Sequence, residues 1–271
     1  MHRFIIFFLI TLVVSGPIYG THVLVGVGAD KERSIISGYL KDKNGNPLDY
    51  LMLIGTGEHF DKNKWEILNF LNHLDSKKKR FDSDKKFLEY VFYKVHRKYL
   101  RSFEPLTNFS EILEQGKYNC LTATAYYAII LEYFDFHYEL IELTHHIYLK
   151  VNLDQQTILL ESTDPVNGFI GNSSDVEAQL MAYNLSTNES LSDDHFEAEP
   201  VDLYQLIGLH YYNLAIKSFK ADDLRKSYVA INKALIFHKS PKLFTFLNFL
   251  LEETNFTPIE KALVLQSINL S

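Results

Sequence analysis

Apolar residues recur every three or four positions through much of the chain, which is the spacing of one buried helix face. Polar residues at the ends of these stretches supply caps: Asp82 or Ser83 suits the start of one helix, and Gly116 suits the end of another. After residue 200 the helical pattern continues to the end of the chain. The spacing predicts helices over 64–74, 85–100, 107–113, 120–133, 174–183, 201–219, 224–237, 241–252 and 258–267.

A different pattern follows the apolar stretch 120–133 and favours strands. It predicts three strands, over 138–143, 146–151 and 157–161, with a short turn at 152–156 joining the last two. A helix followed by an antiparallel run of strands is typical of an α+β fold.

The segment 21–62 is predicted to be rich in β-structure. Asn44 and Gly45 form a strong hairpin signal, and we interpret the flanking segments 36–41 and 48–54 as its two strands. A β-rich N-terminal segment is therefore expected ahead of the helices.

The N-terminus has the pattern of a signal peptide. His2 and Arg3 precede an apolar run over 4–14, and small residues follow it. The run is too short to span a bilayer, which takes about 20 residues, and a retained anchor is the alternative interpretation. We predict a signal peptide over 1–20, an exported (periplasmic or secreted) protein, and no transmembrane span after the signal is removed.

Charge bears on the class of partner. The formal net charge is -7, and the only basic cluster, 77–80, lies beside acidic residues. Because binding to nucleic acid needs clustered Lys and Arg against the phosphates, the sequence predicts no nucleic-acid partner.

The chain contains a single cysteine, Cys120. An exported protein with one cysteine cannot form an internal disulfide. A lone thiol in an oxidising compartment suggests a chemical role, whereas a buried and inert cysteine is the alternative.

The position of Cys120 favours a reactive thiol. Asn119 is a suitable N-cap for the helix 120–133, which would place Cys120 in its first turn. Unpaired backbone N–H groups and the helix dipole there stabilise negative charge, and the thiolate is the reactive form of cysteine. The same N–H groups can stabilise an oxyanion, so Asn119 is a candidate oxyanion or positioning residue.

A base and an orienting acid are expected close to each other. His146 begins the second predicted strand and Glu161 ends the third, and in an antiparallel hairpin these ends are neighbours. His146 would then activate the thiol, and Glu161 would hold the imidazole tautomer. His145 is the alternate base and Asp164 the alternate acid, although Asp164 followed by Pro165 is also a common turn signal.

Three segments, 118–125, 146–151 and 158–163, resemble the transglutaminase-like (papain-like) superfamily. The resemblance implies a core in which a Cys-bearing helix packs on an antiparallel sheet. It also implies that Cys120 is the nucleophile, His146 the base and Glu161 the acid of a catalytic triad. The family usually has Asp at the acid position, so Glu161 is a departure.

The C-terminal helices resemble one tetratricopeptide repeat, although the typical Gly and Tyr positions are substituted. The resemblance implies a surface for a protein or peptide partner, and a helical cap on the preceding domain is the alternative. The matching positions are Leu214, Ala215, Ser218, Asp222, Ser227, Ile231 and Ala234.

Together these features predict four parts: 1–20, the signal peptide; 21–62, β-rich; 63–198, transglutaminase-like; and 199–271, an all-α helical-repeat tail. The expected function is an exported cysteine hydrolase or acyltransferase that acts on an amide of a peptide or protein, with no metal or organic cofactor. The alternative is an inactive binding or assembly module on the same fold.

Overall fold

A computed structural model describes residues 30–42, 45–54, 59–153, 156–188 and 198–253. The predicted signal peptide and the predicted helix 258–267 lie outside these ranges and stay predictions. The helices are α1 (Asp30–Asp42), α2 (Pro47–Leu53), α3 (Phe60–Lys78), α4 (Asp84–Lys98), α5 (Ser110–Gln115), α6 (Cys120–Tyr133), α7 (Ser173–Asn188), α8 (Leu203–Lys220), α9 (Leu224–Phe237) and α10 (Pro241–Glu253). The strands are β1 (Ser102–Phe103), β2 (Lys117–Tyr118), β3 (Tyr138–Glu142), β4 (Ile147–Leu153), β5 (Gln156–Leu160), β6 (Phe169–Ile170) and β7 (Glu199–Val201).

Helix ends follow the capping residues of the sequence. Ser83 accepts a hydrogen bond from the Lys86 backbone N–H at the start of α4, as predicted. Gly116 ends α5 in the left-handed conformation at φ 70°, where an L side chain would be strained. Described helices cover parts of every predicted helix except 258–267.

The N-terminal prediction was wrong: the described part of segment 21–62 forms helices, with α1, α2 and the start of α3 in place of a hairpin. Asn46 caps α2, its side chain accepting from the Leu48 backbone N–H, and Pro47 occupies the first turn. Proline lacks the N–H that the first turn does not need, so Asn46 and Pro47 are a helix start. A short apolar run such as 48–54 suits a buried helix or a strand equally well.

The main sheet has five strands in the order β6-β5-β4-β3-β7, and all neighbours are antiparallel. The three predicted strands are its centre. Edge strand β7, which contains Pro200, was not predicted. Proline removes one ladder donor and is therefore tolerated at an edge.

Successive side chains of β4 point to opposite faces of the sheet, and other residues pack on both faces. Ile147, Leu149 and Val151 join the large core that includes α6. Tyr148 points to the opposite face, where it joins a smaller apolar cluster with Val176 of α7. The protein is thus a mixed helix and sheet structure in which helices pack on both faces of an antiparallel sheet.

The C-terminal helices share the core of the rest of the chain, and one apolar cluster runs from Ile36 in α1 to Leu251 in α10. Helices α8 and α9 approach closely at Gly208, where an added Cβ would lie 2.5 Å from the His238 Cβ. No helix among the described ranges is long and apolar enough to cross a membrane.

Candidate active site

Cys120 is the first residue of α6, and its position is set by Asn119. The Asn119 side chain accepts from the Thr122 backbone N–H at 2.8 Å, while the Thr122 hydroxyl accepts from the Asn119 backbone N–H at 2.9 Å. The Asn119 amide nitrogen also donates to the Pro105 carbonyl at 2.8 Å. This side chain is buried and engaged at both ends, so Asn119 holds the helix start and its amide is not directed at a substrate.

The β4–β5 hairpin brings His146 to Glu161. The pairing of β4 with β5 ends at Leu149 and Leu160. His146 and Glu161 therefore lie just beyond the paired ends of the two strands, on the same side of the sheet. His146 Nε2 lies 2.6 Å from Glu161 Oε2. An ionised carboxylate only accepts, so the Nε2 hydrogen is donated to it.

Glu161 is fixed at both of its oxygens. Its Oε1 accepts from the Thr163 hydroxyl at 2.6 Å and from the Thr163 backbone N–H at 3.2 Å. Its Oε2, which pairs with His146, also accepts from the Tyr183 hydroxyl at 2.6 Å. The carboxylate therefore has little freedom to turn away from the imidazole.

His146 is flanked by two acidic groups. Burial lowers the pKa of His146, but hydrogen bonds with Cys120 and Glu161 and the negative charges of both outweigh it and raise that pKa to about 10. Burial raises the pKa of Glu161, but His146, Thr163 and Tyr183 lower it to about 2. Because Glu161 takes Nε2, Nδ1 is the ring nitrogen left for the Cys120 thiol. The arrangement stabilises a protonated imidazole beside the Glu161 carboxylate.

The alternate base and the alternate acid have different surroundings from His146 and Glu161. His145 is exposed, whereas His146 is half-buried against Glu161. Asp164 Oδ1 accepts from the backbone N–H groups of Val166 and Asn167 at 2.9 Å each. These bonds form the turn that the sequence favoured for Asp164, and Glu161 is the acid that contacts the imidazole.

No family model, curated protein or solved structure matches the chain.

Small hydroxyl groups connect the Cys120 end of α6 to the sheet. The Ser162 hydroxyl lies 3.3 Å from the Cys120 carbonyl and 3.1 Å from the Thr124 hydroxyl. Thr124 Oγ1 in turn lies 3.4 Å from the Ile147 carbonyl. Both hydroxyls are fully buried, so this contact fixes the distance between the helix that carries the thiol and the strands that carry its partners.

A cavity of about 1120 Å³ opens at the thiol. Cys120 and His146 line it together with residues 142–147, the end of β3 and its connection to β4. Helices α8 and α10 line it as well, so the cavity lies between the sheet and the C-terminal helices.

Several site residues had no signal in the sequence. Thr163 belonged to a motif noted above, but nothing marked Tyr183, which lies 22 residues beyond Glu161 on another helix. A tyrosine on an amphipathic helix is ordinary, and its partner is known only once the helix is placed. Within the described ranges, no group of three or more His, Cys, Asp or Glu side chains is arranged to hold a metal ion.

Proposed function

We propose that the protein is a cysteine hydrolase or acyltransferase that acts on an amide of a peptide-type substrate. One observation carries the proposal: a thiol at the start of a helix lines the same cavity as an imidazole that is held by a buried carboxylate. Structural thiols are usually buried and inert, whereas this one lines a cavity beside a base.

The proposed reaction has two steps. Cys120 Sγ attacks the carbonyl carbon, and the C–N bond breaks as His146 gives its proton to the leaving amine, which leaves a thioester. Water or a second amine then attacks the thioester, His146 takes the proton of that nucleophile, and the acyl–sulfur bond breaks to restore the thiolate.

The remaining residues keep the partners in place. Glu161 orients the imidazole and balances its charge, and Tyr183 and Thr163 hold Glu161. The backbone N–H groups at the start of α6 are the proposed donors to the oxyanion. The contact of α6 with the antiparallel sheet supports the transglutaminase-like interpretation of the same residues.

Alkylation of the thiol tests the proposal, because the chain has only one cysteine to report. In wild type, we expect a fast reaction with iodoacetamide at pH 6, because His146, whose pKa is raised to about 10, is protonated there and its positive charge favours the reactive form of the thiol. In His146→Ala, the rate should be about 10-fold or more lower at pH 6 and should rise steadily towards pH 8.5. The measurement is the second-order rate at each pH.

His137→Ala is the control, because His137 is an exposed histidine that directly precedes β3, at the end of that strand far from His146. It should keep the wild-type profile. A profile that changes in His145→Ala and not in His146→Ala would reject the assigned base. A slow thiol in wild type, unaffected by either change, would reject the enzyme and favour the binding module.

A further inference from the structure

The C-terminal helices form one wall of the cavity that contains the thiol. Tyr212 and Ile216 lie one turn apart on α8, and Phe246 and Phe249 lie one turn apart on α10. All four line the same cavity as Cys120. An acyl group attached to the Cys120 sulfur would therefore face these helices.

This wall is a continuous aromatic surface. The rings of Tyr212 and Phe246 meet edge to face at 5.5 Å, and those of Phe246 and Phe249 lie 6.1 Å apart. Phe249 is 38% exposed, which leaves much of its ring available for contact. Apolar surface of this kind gains free energy when another apolar group covers it.

Lys242 is the charged residue with which α8 and α10 line the cavity, whereas Glu199 lines it from β7. Glu142 lines the cavity but is buried, and His238 and Lys242 hold it as an ion pair network. Lys242, the amine at the cavity, is thus already matched by Glu142. Recognition by this wall is therefore apolar.

We propose that this wall selects acyl groups that carry an aromatic or large aliphatic side chain close to the reacting carbonyl, an inference that rests on the proposed function. The volume of about 1120 Å³ exceeds that of one side chain, so a peptide segment fits. The C-terminal helices are then part of the substrate site of the enzyme.

Two alkylating reagents test the specificity: iodoacetamide and N-(2-phenylethyl)iodoacetamide. They differ only in the 2-phenylethyl group on the amide nitrogen of the second. Wild type should react about 10- to 30-fold faster with the aromatic reagent, the gain expected for burying a ring. Phe249→Ala should reduce this preference to about threefold or less. Thr245→Trp, at an exposed cavity position, should reduce it by filling the space. The ratio of the two rates cancels any change in the thiol itself.

Trp65→Ala is the matched control, because Trp65 is an aromatic residue that is 68% exposed and lines a different cavity. It should leave the preference at its wild-type value. Equal rates for both reagents in wild type, with alkylation still dependent on His146, would overturn the specificity and leave the enzyme intact. A preference that survives both Phe249→Ala and Thr245→Trp would also overturn the assignment to this wall. Alkylation independent of His146 would instead overturn the proposed function.

Discussion

At the scale of the residue, the geometry of the candidate site depends on the carboxylate of Glu161. It contacts His146, Thr163 and Tyr183, and it is more buried than the imidazole that it holds. A buried charge is stable only with such partners, because it has lost its contact with water. These partners hold the carboxylate at 2.6 Å from the imidazole.

Glu161→Gln should destabilise the protein in a pH-dependent way. The lowered pKa of Glu161, about 2, contributes stability above about pH 4.5 that is lost as pH falls towards 2. The raised pKa of His146, about 10, contributes stability below about pH 6.5 that is lost as pH rises towards 10. The loss in unfolding free energy should be about 1–3 kcal/mol between pH 4.5 and 6.5 and should shrink towards pH 10. Urea unfolding at several pH values measures it.

Asp164→Asn is the control for this experiment, because Asp164 contacts backbone N–H groups that do not titrate. Its effect should be constant between pH 6.5 and 10. A constant effect of Glu161→Gln over the same range would contradict the pairing with His146.

At the scale of elements, the start of α6 is both a capped helix end and the position of the Cys120 thiol. A cap satisfies backbone N–H groups that have no partner within the helix. Asn119 supplies this cap with Thr122, and Asp202 supplies the same kind of reciprocal cap with Gln205 at the start of α8. The two helix starts differ mainly in that only α6 begins with the thiol.

Asn119→Ala should lower the unfolding free energy by about 1–2 kcal/mol and slow the alkylation of Cys120, because the first turn of α6 loses its anchor. Asp202→Ala should lower stability by about 1 kcal/mol with no change in the alkylation rate. Urea unfolding and iodoacetamide kinetics on both variants measure the two effects. Equal alkylation rates in the two variants would mean that the cap does not position the thiol.

Elements were predicted well where one spacing extended over several turns. Helix α6 begins and ends where the sequence predicted it, at Cys120 and Tyr133. The prediction failed for 48–54, where a short, mostly apolar run fits either period and the capping by Asn46 was overlooked. Edge strand β7 was missed because its pairing with β3 joins segments that are distant in the chain.

At the scale of the whole molecule, buried ion pairs connect distant parts of the chain. Glu142, at the end of β3, contacts two residues of the C-terminal helices. His238 Nε2, at the end of α9, lies 3.3 Å from the Glu142 carboxylate, and Lys242, at the start of α10, pairs with the same carboxylate. Glu32 of α1 meets Lys233 of α9 at 2.8 Å. These contacts anchor the C-terminal helices to the sheet and to the N-terminal helix.

Glu142→Gln should destabilise the protein by about 3 kcal/mol or more, because it removes the buried carboxylate that pairs with Lys242 and His238. The matched control is Glu139→Gln on the same strand, where Glu139 and Lys150 form a solvent-exposed pair. That variant should lose less than about 1 kcal/mol. Chemical denaturation of the two variants compares them, and losses of equal size would show that the Glu142 cluster does not anchor the helices.

The sequence by itself determined most of the local elements between residues 60 and 253 and three residues of the candidate site. Helical and strand periods are properties of short stretches, and a hairpin brings His146 and Glu161 together through neighbouring strands. Only the tertiary structure decided that Tyr183 holds Glu161 and that α8 and α10 form a wall of the cavity. Those contacts join residues far apart in the chain, and no local spacing encodes them, because they depend on how whole helices pack on the sheet.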